Sequence, residues 1–259
     1  MPRIIAALYV ALVLCACVSS GSPVAWPAPA PSTNLNYWVT LPESGALVVI
    51  GVSGRQSKRE NEIAIAREDA ARKVALYHGI QASFEIEQDT TGHFLSGIVY
   101  SNFTMEYDQD LEKYMDKLVF DPKRDITTDD NTVFIRFTYP AAFSGNINYR
   151  FAKNADGSPA WTTSRHPEIN GFLAGVGFAP RQQRLRDTIT KSYEDALVNL
   201  VTNLSASIES SQTATASQNV TSFKQHSTGS LKNFLILETW IDPSTQGVRT
   251  LVIAQDSTN

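Results

Sequence analysis

The chain of 259 residues predicts an α+β fold made of two repeated units, each a long helix packed on an antiparallel sheet. Three features predict it. An apolar run that leads into a glycine turn occurs twice, with Gly51 and Gly175 lying 124 residues apart. A long segment with helical periodicity follows each glycine, and segments with the alternation of β-strands follow each helix.

The first helix is predicted near residues 58–77 and the second near 181–208. In both, apolar residues recur at spacings of three and four, which places them on one face against a core. We expect His78 and Gly79 to end the first helix, with the glycine in a left-handed cap. The two stripes consist of Ile63, Ala66, Ala70, Val74 and Tyr77, and of Leu185, Ile189, Tyr193, Ala196, Leu200 and Leu204.

The strand segments follow each helix. In the first unit, residues 82–86, 98–107 and 133–139 have strand character, and residues 118–122 predict a hairpin turn. In the second, residues 234–241 and 248–254 predict a hairpin around 242–247. We expect Gly51 and Gly175 to occupy equivalent strand-to-helix turns. The Gly-, Ser-, Pro- and Thr-rich residues 152–167 predict a boundary between units 36–151 and 152–259.

The first 35 residues have a different character. Arg3 precedes an apolar stretch, residues 4–14, that is about half the roughly 20 residues needed to span a bilayer. The stretch ends in Leu14-Cys15-Ala16-Cys17, the arrangement of a bacterial lipoprotein signal. We therefore predict a signal peptide over residues 1–16 and a diacylglycerol on the sulfur of Cys17. Residues 17–35, with four prolines, then form an extended tether.

Composition restricts the chemistry further. Cys15 leaves with the signal and Cys17 carries lipid, so no thiol is left for disulfides, metal binding or catalysis. The net charge of −4 and the lack of a basic stripe argue against nucleic acid as a partner. Val18 follows the lipidated cysteine. In enterobacterial lipoproteins an Asp at that place signals retention in the inner membrane, so Val18 favours the outer membrane.

The run Ala66-Arg67-Glu68-Asp69-Ala70-Ala71-Arg72, after a strand ending in Gly-Val-Ser, resembles the lipoprotein-twenty family of bacterial outer-membrane lipoproteins. That family has relatives among flagellar outer-membrane assembly lipoproteins. Residues 174–179 and 230–240 resemble it too, whereas the second helix matches in part only. The resemblance implies two tandem copies of the domain, and an envelope lipoprotein with no established enzymatic chemistry.

No catalytic, metal or cofactor set emerges from the remaining residues. The four histidines have no helical partner at the spacing of a metal motif. The cluster of Asp125, Asp129 and Asp130 lacks the glycine and the terminal Glu of an EF-hand and is explained by turn chemistry. Paired carboxylates such as Glu85 and Glu87 share one face of a strand, as the polar residues of any amphipathic strand do. We expect no enzyme.

The sequence therefore predicts a lipid-anchored outer-membrane protein facing the periplasm, a non-enzymatic assembly or scaffold component of the cell envelope, with the flagellum as one candidate setting. Its expected partners are the membrane, through Cys17, and other envelope proteins. Open sheet edges would suit strand addition by such a partner. The alternative is a carrier or binding module for a small apolar ligand or a glycan, suggested by the aromatic residues alone.

Overall fold

The computed structural model describes residues 37–43, 45–89, 99–129, 131–143, 147, 152–163, 167–169, 171–209 and 222–257. All of them belong to one compact unit, residues 31–259. The predicted signal peptide, Cys17 and the tether up to residue 36 lie outside the described residues. No helix within the described ranges combines the length and the apolar composition needed to cross a membrane.

The described chain is a mixed α+β structure, as predicted. Its helices are α1 (Arg59–His78), the short α2 (Glu112–Met115) and α3 (Leu185–Glu209), and Ala160–Thr163 form one 3-10 turn. Its strands are β1 (Tyr37–Val39), β2 (Ala46–Gly54), β3 (Ile80–Asp89), β4 (Val99–Glu106), β5 (Ile126–Asp129), β6 (Thr132–Pro140), β7 (Leu173–Ala179), β8 (Ser222–Ile241) and β9 (Val248–Asp256).

The strands form two antiparallel sheets. The large sheet has the order β4-β3-β8-β9-β7, and β1 pairs with the end of β8 beside β3. The small sheet has the order β2-β6-β5. Strand β8 is long enough, at 20 residues, to pair with β3 through its first half and with β9 through its second half. The hairpin predicted around residues 242–247 is confirmed as the β8–β9 connection.

The prediction of two self-contained units is not confirmed. Strands β3 and β4 come from the predicted first unit, yet they belong to the large sheet together with β7, β8 and β9. Helix α1 packs on β2 and β6 of the small sheet and also on β8 of the large sheet. One buried cluster therefore joins both sheets, with Leu47 and Phe137 from the small sheet and Leu237 and Leu251 from the large one.

The glycines that suggested a repeat lie inside strands and not in turns. A Cβ atom added at Gly51 would lie 2.0 Å from the carbonyl oxygen of Ala66 in α1. A Cβ atom added at Gly177 would lie 2.0 Å from the carbonyl oxygen of Ser192 in α3. Each glycine thus lets a helix backbone rest directly on a strand backbone, which no other residue type allows.

Two local predictions are wrong. Gly79 follows α1 with φ of 166°, which is extended backbone and not the left-handed cap expected there. Residues 118–122 do not form a hairpin. Val119 makes an isolated bridge to Thr138, and the hairpin that leads into β6 begins only at β5. The predicted first helix is confirmed within one residue at each end.

The glycine contacts predict a sharp difference between two positions in β2. Gly51→Ala should destabilise the protein by about 3 kcal/mol or more, because the new methyl group meets helix backbone that cannot rotate away. Gly54→Ala is the matched control, since the nearest atom to its added Cβ is 4.0 Å away. Urea unfolding should place that variant within about 0.5 kcal/mol of the parent. Equal losses at both glycines would contradict the contact.

Candidate functional site

The one site residue predicted from sequence, Cys17, lies outside the described residues. The most organised polar groups in the described chain lie where each long helix crosses an edge strand. We call each arrangement a clamp, meaning two helix side chains, one turn apart, that bind the backbone of the strand below.

The first clamp joins α1 to β2. The backbone N–H of Val52 donates to Asp69 Oδ2 at 2.8 Å, and Lys73 Nζ donates to the carbonyl oxygen of Ile50 at 2.6 Å. Lys73 and Asp69 also form an ion pair of 2.7 Å. Both side chains are buried, with 8% and 4% of their residue surface exposed. A buried pair of this kind is tolerated only when each charge is fully partnered.

The second clamp joins α3 to β7. The N–H of Phe178 donates to Asp195 Oδ2 at 2.9 Å, and Asn199 Nδ2 donates to the carbonyl oxygen of Val176 at 2.8 Å. Every group stands 126 residues after its counterpart in the first clamp. The second clamp differs in charge, because a neutral amide takes the place of the lysine.

The same shift of 126 residues relates two further features. The N–H of Gln56 donates to Glu62 Oε1, and the N–H of Gln182 donates to Thr188 Oγ1. Gly51 and Gly177, the two glycines under the helix backbones, are also 126 apart. The counterpart of Gly51 is therefore Gly177, and the alignment of Gly51 with Gly175 was wrong by two residues.

The clamps cover two sheet edges. Strand β2 is an edge of the small sheet and β7 is an edge of the large one. In an edge strand, alternate residues direct their N–H and C=O groups away from the sheet, where another chain can pair with them. Both clamps occupy such groups with helix side chains. Strand addition, which we expected at open edges, is therefore obstructed at these positions of β2 and β7.

Lys73, the cation of the first clamp, also lies close to a tyrosine of α3. Lys73 Nζ lies 5.7 Å from the ring centroid of Tyr193. Burial raises the pKa of the Tyr193 phenol, and the nearby Asp69 carboxylate raises it further. The phenol thus stays neutral at physiological pH. The contact ties α1 to α3 through a cation–π interaction between the two helices.

A small cavity lies where the two sheets meet. It is lined by residues of both sheets and both long helices, among them Trp38, Ile50, Lys73, Tyr193 and Phe234. Its volume is about 30 Å³. A water molecule needs about 10–15 Å³ of such space, and ligand pockets begin at about 300 Å³. The cavity fits one or two waters, so it lends no support to the alternative function of carrying an apolar ligand.

Of the other acidic candidates, Asp125 is the one whose side chain the structure describes. Asp125 accepts a hydrogen bond from the N–H of Asp121 at 2.6 Å and lies 3.9 Å from Arg136, as turn chemistry implies. The strand β3 pairs Glu85 with His226 and Glu87 with Lys224 in β8, but the side chains of these four residues are outside the described part. Asp130 lies outside the described residues, as does the side chain of Asp129.

His78 is the one histidine whose side chain the structure describes. His78 is exposed at the end of α1 and stacks on Tyr114 with ring centroids 5.4 Å apart. Desolvation lowers its pKa, and the charges of Lys117 and Lys113 lower it further. His93 and His166 lie outside the described residues. Within the described ranges, no three His, Cys, Asp or Glu side chains come together in a way that would hold a metal ion.

Comparison with known proteins adds no relative. No family model, no curated protein and no solved structure matches this chain. The resemblance to the lipoprotein-twenty family therefore stays a prediction.

The buried charge predicts unequal costs for the two clamps. Lys73→Met leaves the Asp69 carboxylate buried without its counter-charge and should destabilise the protein by about 3–5 kcal/mol. Asn199→Leu at the equivalent place removes one neutral hydrogen bond and should cost about 1 kcal/mol. Urea unfolding measures both.

A second substitution separates charge from packing. Adding Asp69→Asn to Lys73→Met removes the stranded carboxylate, so part of the lost stability should return. If Lys73→Met costs no more than Asn199→Leu, the ion pair does not have the role assigned to it.

Proposed function

We propose that this chain is a lipid-anchored lipoprotein of the bacterial outer membrane, facing the periplasm, and a non-enzymatic assembly or scaffold component of the cell envelope. The observation that carries the proposal is the run Leu14-Cys15-Ala16-Cys17 after a short apolar stretch. A lipoprotein signal at this place assigns the chain to the membrane surface, and the proline-rich residues 17–35 set the folded part away from it.

The described fold lends no support to the alternative of a small-ligand carrier. The cavity described above has room for one or two waters, and the buried ion pair of Asp69 and Lys73 is engaged with the backbone of β2. The polar groups of the two clamps thus hold the long helices on the sheets. The proposed partners are other envelope proteins, and the resemblance suggests a flagellum-related assembly as one setting.

The predicted repeat is also part of this proposal, restricted to one strand and one helix in each copy. We infer that β2–α1 and β7–α3 derive from one duplicated strand–helix element. The constant shift of 126 residues in six hydrogen-bonded groups, and in the packed glycines Gly51 and Gly177, supports it. The strands around these two elements were then redistributed, since β3 and β4 joined the sheet of the second element.

Cys17→Ser should abolish acylation of the protein, since the hydroxyl does not replace the thiolate nucleophile in this modification. Mass spectrometry of the N-terminal peptide should show a diacylglyceryl cysteine in the parent and none in the variant. The parent should also sediment with outer membranes on a density gradient. Cys15→Ser is the matched control and should leave acylation and location unchanged.

Retention of Cys17→Ser in the outer membrane fraction would refute lipid anchoring. The scaffold role is tested separately by crosslinking in whole cells. Crosslinks to envelope proteins should form with the parent and decline with Cys17→Ser, because the unanchored protein leaves the membrane surface. Turnover of a peptidoglycan or ester substrate by the purified protein would refute the non-enzymatic role.

A further inference from the structure

One end of the large sheet carries a row of three neighbouring side chains. The strand register pairs Trp240 in β8 with Arg249 in β9, and Arg249 with Phe178 in β7. Directly paired residues in an antiparallel sheet point to the same face. The guanidinium carbon of Arg249 lies 4.8 Å from the ring centroid of Phe178. The row thus combines two aromatic rings and a cation.

Phe178 is unusually exposed for a residue in a strand. It keeps 44% of its surface in solvent, whereas Val52, its counterpart 126 residues earlier, keeps 2%. The two residues make the same backbone hydrogen bond to a helix aspartate. The strand–helix element therefore does not require an exposed aromatic residue at this place, and packing does not explain Phe178.

The loop after Phe178 departs from its counterpart in charge. Residues 180–186 hold three arginines and no carboxylate. In the first element, Glu62 lies 3.5 Å from Arg55 and 2.7 Å from Arg59. The counterpart of Glu62 is Thr188, so Arg181, the counterpart of Arg55, loses its carboxylate. Arg181 and Arg184 are both exposed.

The chain from the predicted lipid anchor enters the fold at this same end. Strand β1 begins at Tyr37, and Tyr37 pairs with Trp240, the first member of the row. Tyr37 follows Cys17 by 20 residues, which span about 60 Å when extended. A tether of that reach keeps the domain near the bilayer without fixing its orientation. It also raises the local concentration of lipid, so a weak contact suffices for docking.

The geometry points to a docking surface for anionic phospholipid headgroups, formed by the exposed Phe178 with the half-buried Trp240 and Arg249 beside it, and by the exposed Arg181 and Arg184 of the loop that follows Phe178. This inference rests on the proposed lipid anchor, which brings that end of the sheet to the membrane. Arginine binds phosphate oxygens in a bidentate manner, and aromatic rings favour the boundary between headgroups and acyl chains.

Two carboxylates near this end are engaged within the protein, whereas Asp187, in the first turn of α3, is exposed. Asp242 accepts hydrogen bonds from Ser244 and Thr245 in the β8–β9 turn, and these bonds lower its pKa to about 2. Asp195 accepts the N–H of Phe178. Among the described residues, neither Asp242 nor Asp195 forms an ion pair with Arg181.

The test measures binding of the full chain to lipid vesicles by sedimentation, with Cys17→Ser in every variant so that no acyl chain contributes. Vesicles of phosphatidylethanolamine with phosphatidylglycerol are compared with vesicles of phosphatidylcholine. Residues 1–16 are common to all variants, so their contribution cancels. Circular dichroism and the unfolding midpoint verify that each variant is folded.

Arg181→Gln with Arg184→Gln should weaken binding to the anionic vesicles by about 25- to 30-fold, since one basic residue contributes about fivefold near an anionic surface. The matched control, Lys123→Gln with Arg124→Gln, changes the net charge equally in an exposed turn of the small sheet and should alter binding by less than about twofold. Phe178→Ser should weaken binding about fivefold, whereas Val119→Ser, at a residue 63% exposed, should not.

Equal binding to neutral and anionic vesicles would overturn the docking surface, as would equal losses in the Arg181/Arg184 and Lys123/Arg124 double variants. Loss of a crosslinked envelope protein in the Arg181 and Arg184 variant, with vesicle binding unchanged, would also overturn it and would assign the surface to a protein partner. Because no variant in the vesicle assay carries an acyl chain at position 17, failure of this assay does not bear on acylation of Cys17. Failure of acylation is seen only in the mass of the N-terminal peptide.

Discussion

The direct contact between a helix backbone and a strand backbone is the constraint on which this fold depends. At Gly51 and Gly177 the helices lie so close that a single methyl group would collide with a carbonyl oxygen. This closeness brings the side chains of the next helical turn, Asp69 and Asp195, to the outer edge of the strand below. The clamps exist because the glycines let the helices come that near.

The clamps in turn determine what the sheet edges can do. A helix that lies on the face of a sheet leaves the edge strand free to pair with another chain. Here the helix side chains bind edge groups of β2 and β7, so these groups are not free to pair with another chain. The two clamps differ in the free energy needed to bury their polar groups, since Lys73 is a charged group and Asn199 is a neutral amide.

Local sequence patterns predicted the elements well and their assembly poorly. The stripe from Ile63 to Tyr77 predicted α1, and the Asp242 turn predicted the β8–β9 hairpin. The glycines signalled close packing, but a glycine turn and a glycine contact look alike in a sequence. Strands β3 and β4 belong to the large sheet because β3 pairs with β8, which follows it by about 140 residues. A single sequence carries no signal for pairing over such a distance along the chain.

The candidate site was missed for a related reason. Asp69 and Lys73 look like a solvent-exposed i,i+4 pair, and their burial depends on β2 lying beneath them. A signal was nevertheless present. Each of the two glycines, Gly51 and Gly177, is followed 18 residues later by an Asp, which is Asp69 in α1 and Asp195 in α3. A residue that can form a hydrogen bond follows each Asp by four positions. Polar residues of both clamps recur at a spacing of 126, as the glycines do, and this spacing identifies both clamps in the sequence.

Native-state hydrogen exchange at two backbone amides tests the central claim most directly. The N–H groups of Val52 and Phe178 belong to edge strands, and both should be protected because each donates to a helix aspartate. In Asp195→Ala, the Phe178 amide should exchange at least about tenfold faster while the Val52 amide keeps its protection. Rapid exchange of both amides in the parent protein, or unchanged protection of Phe178 in the variant, would contradict the account.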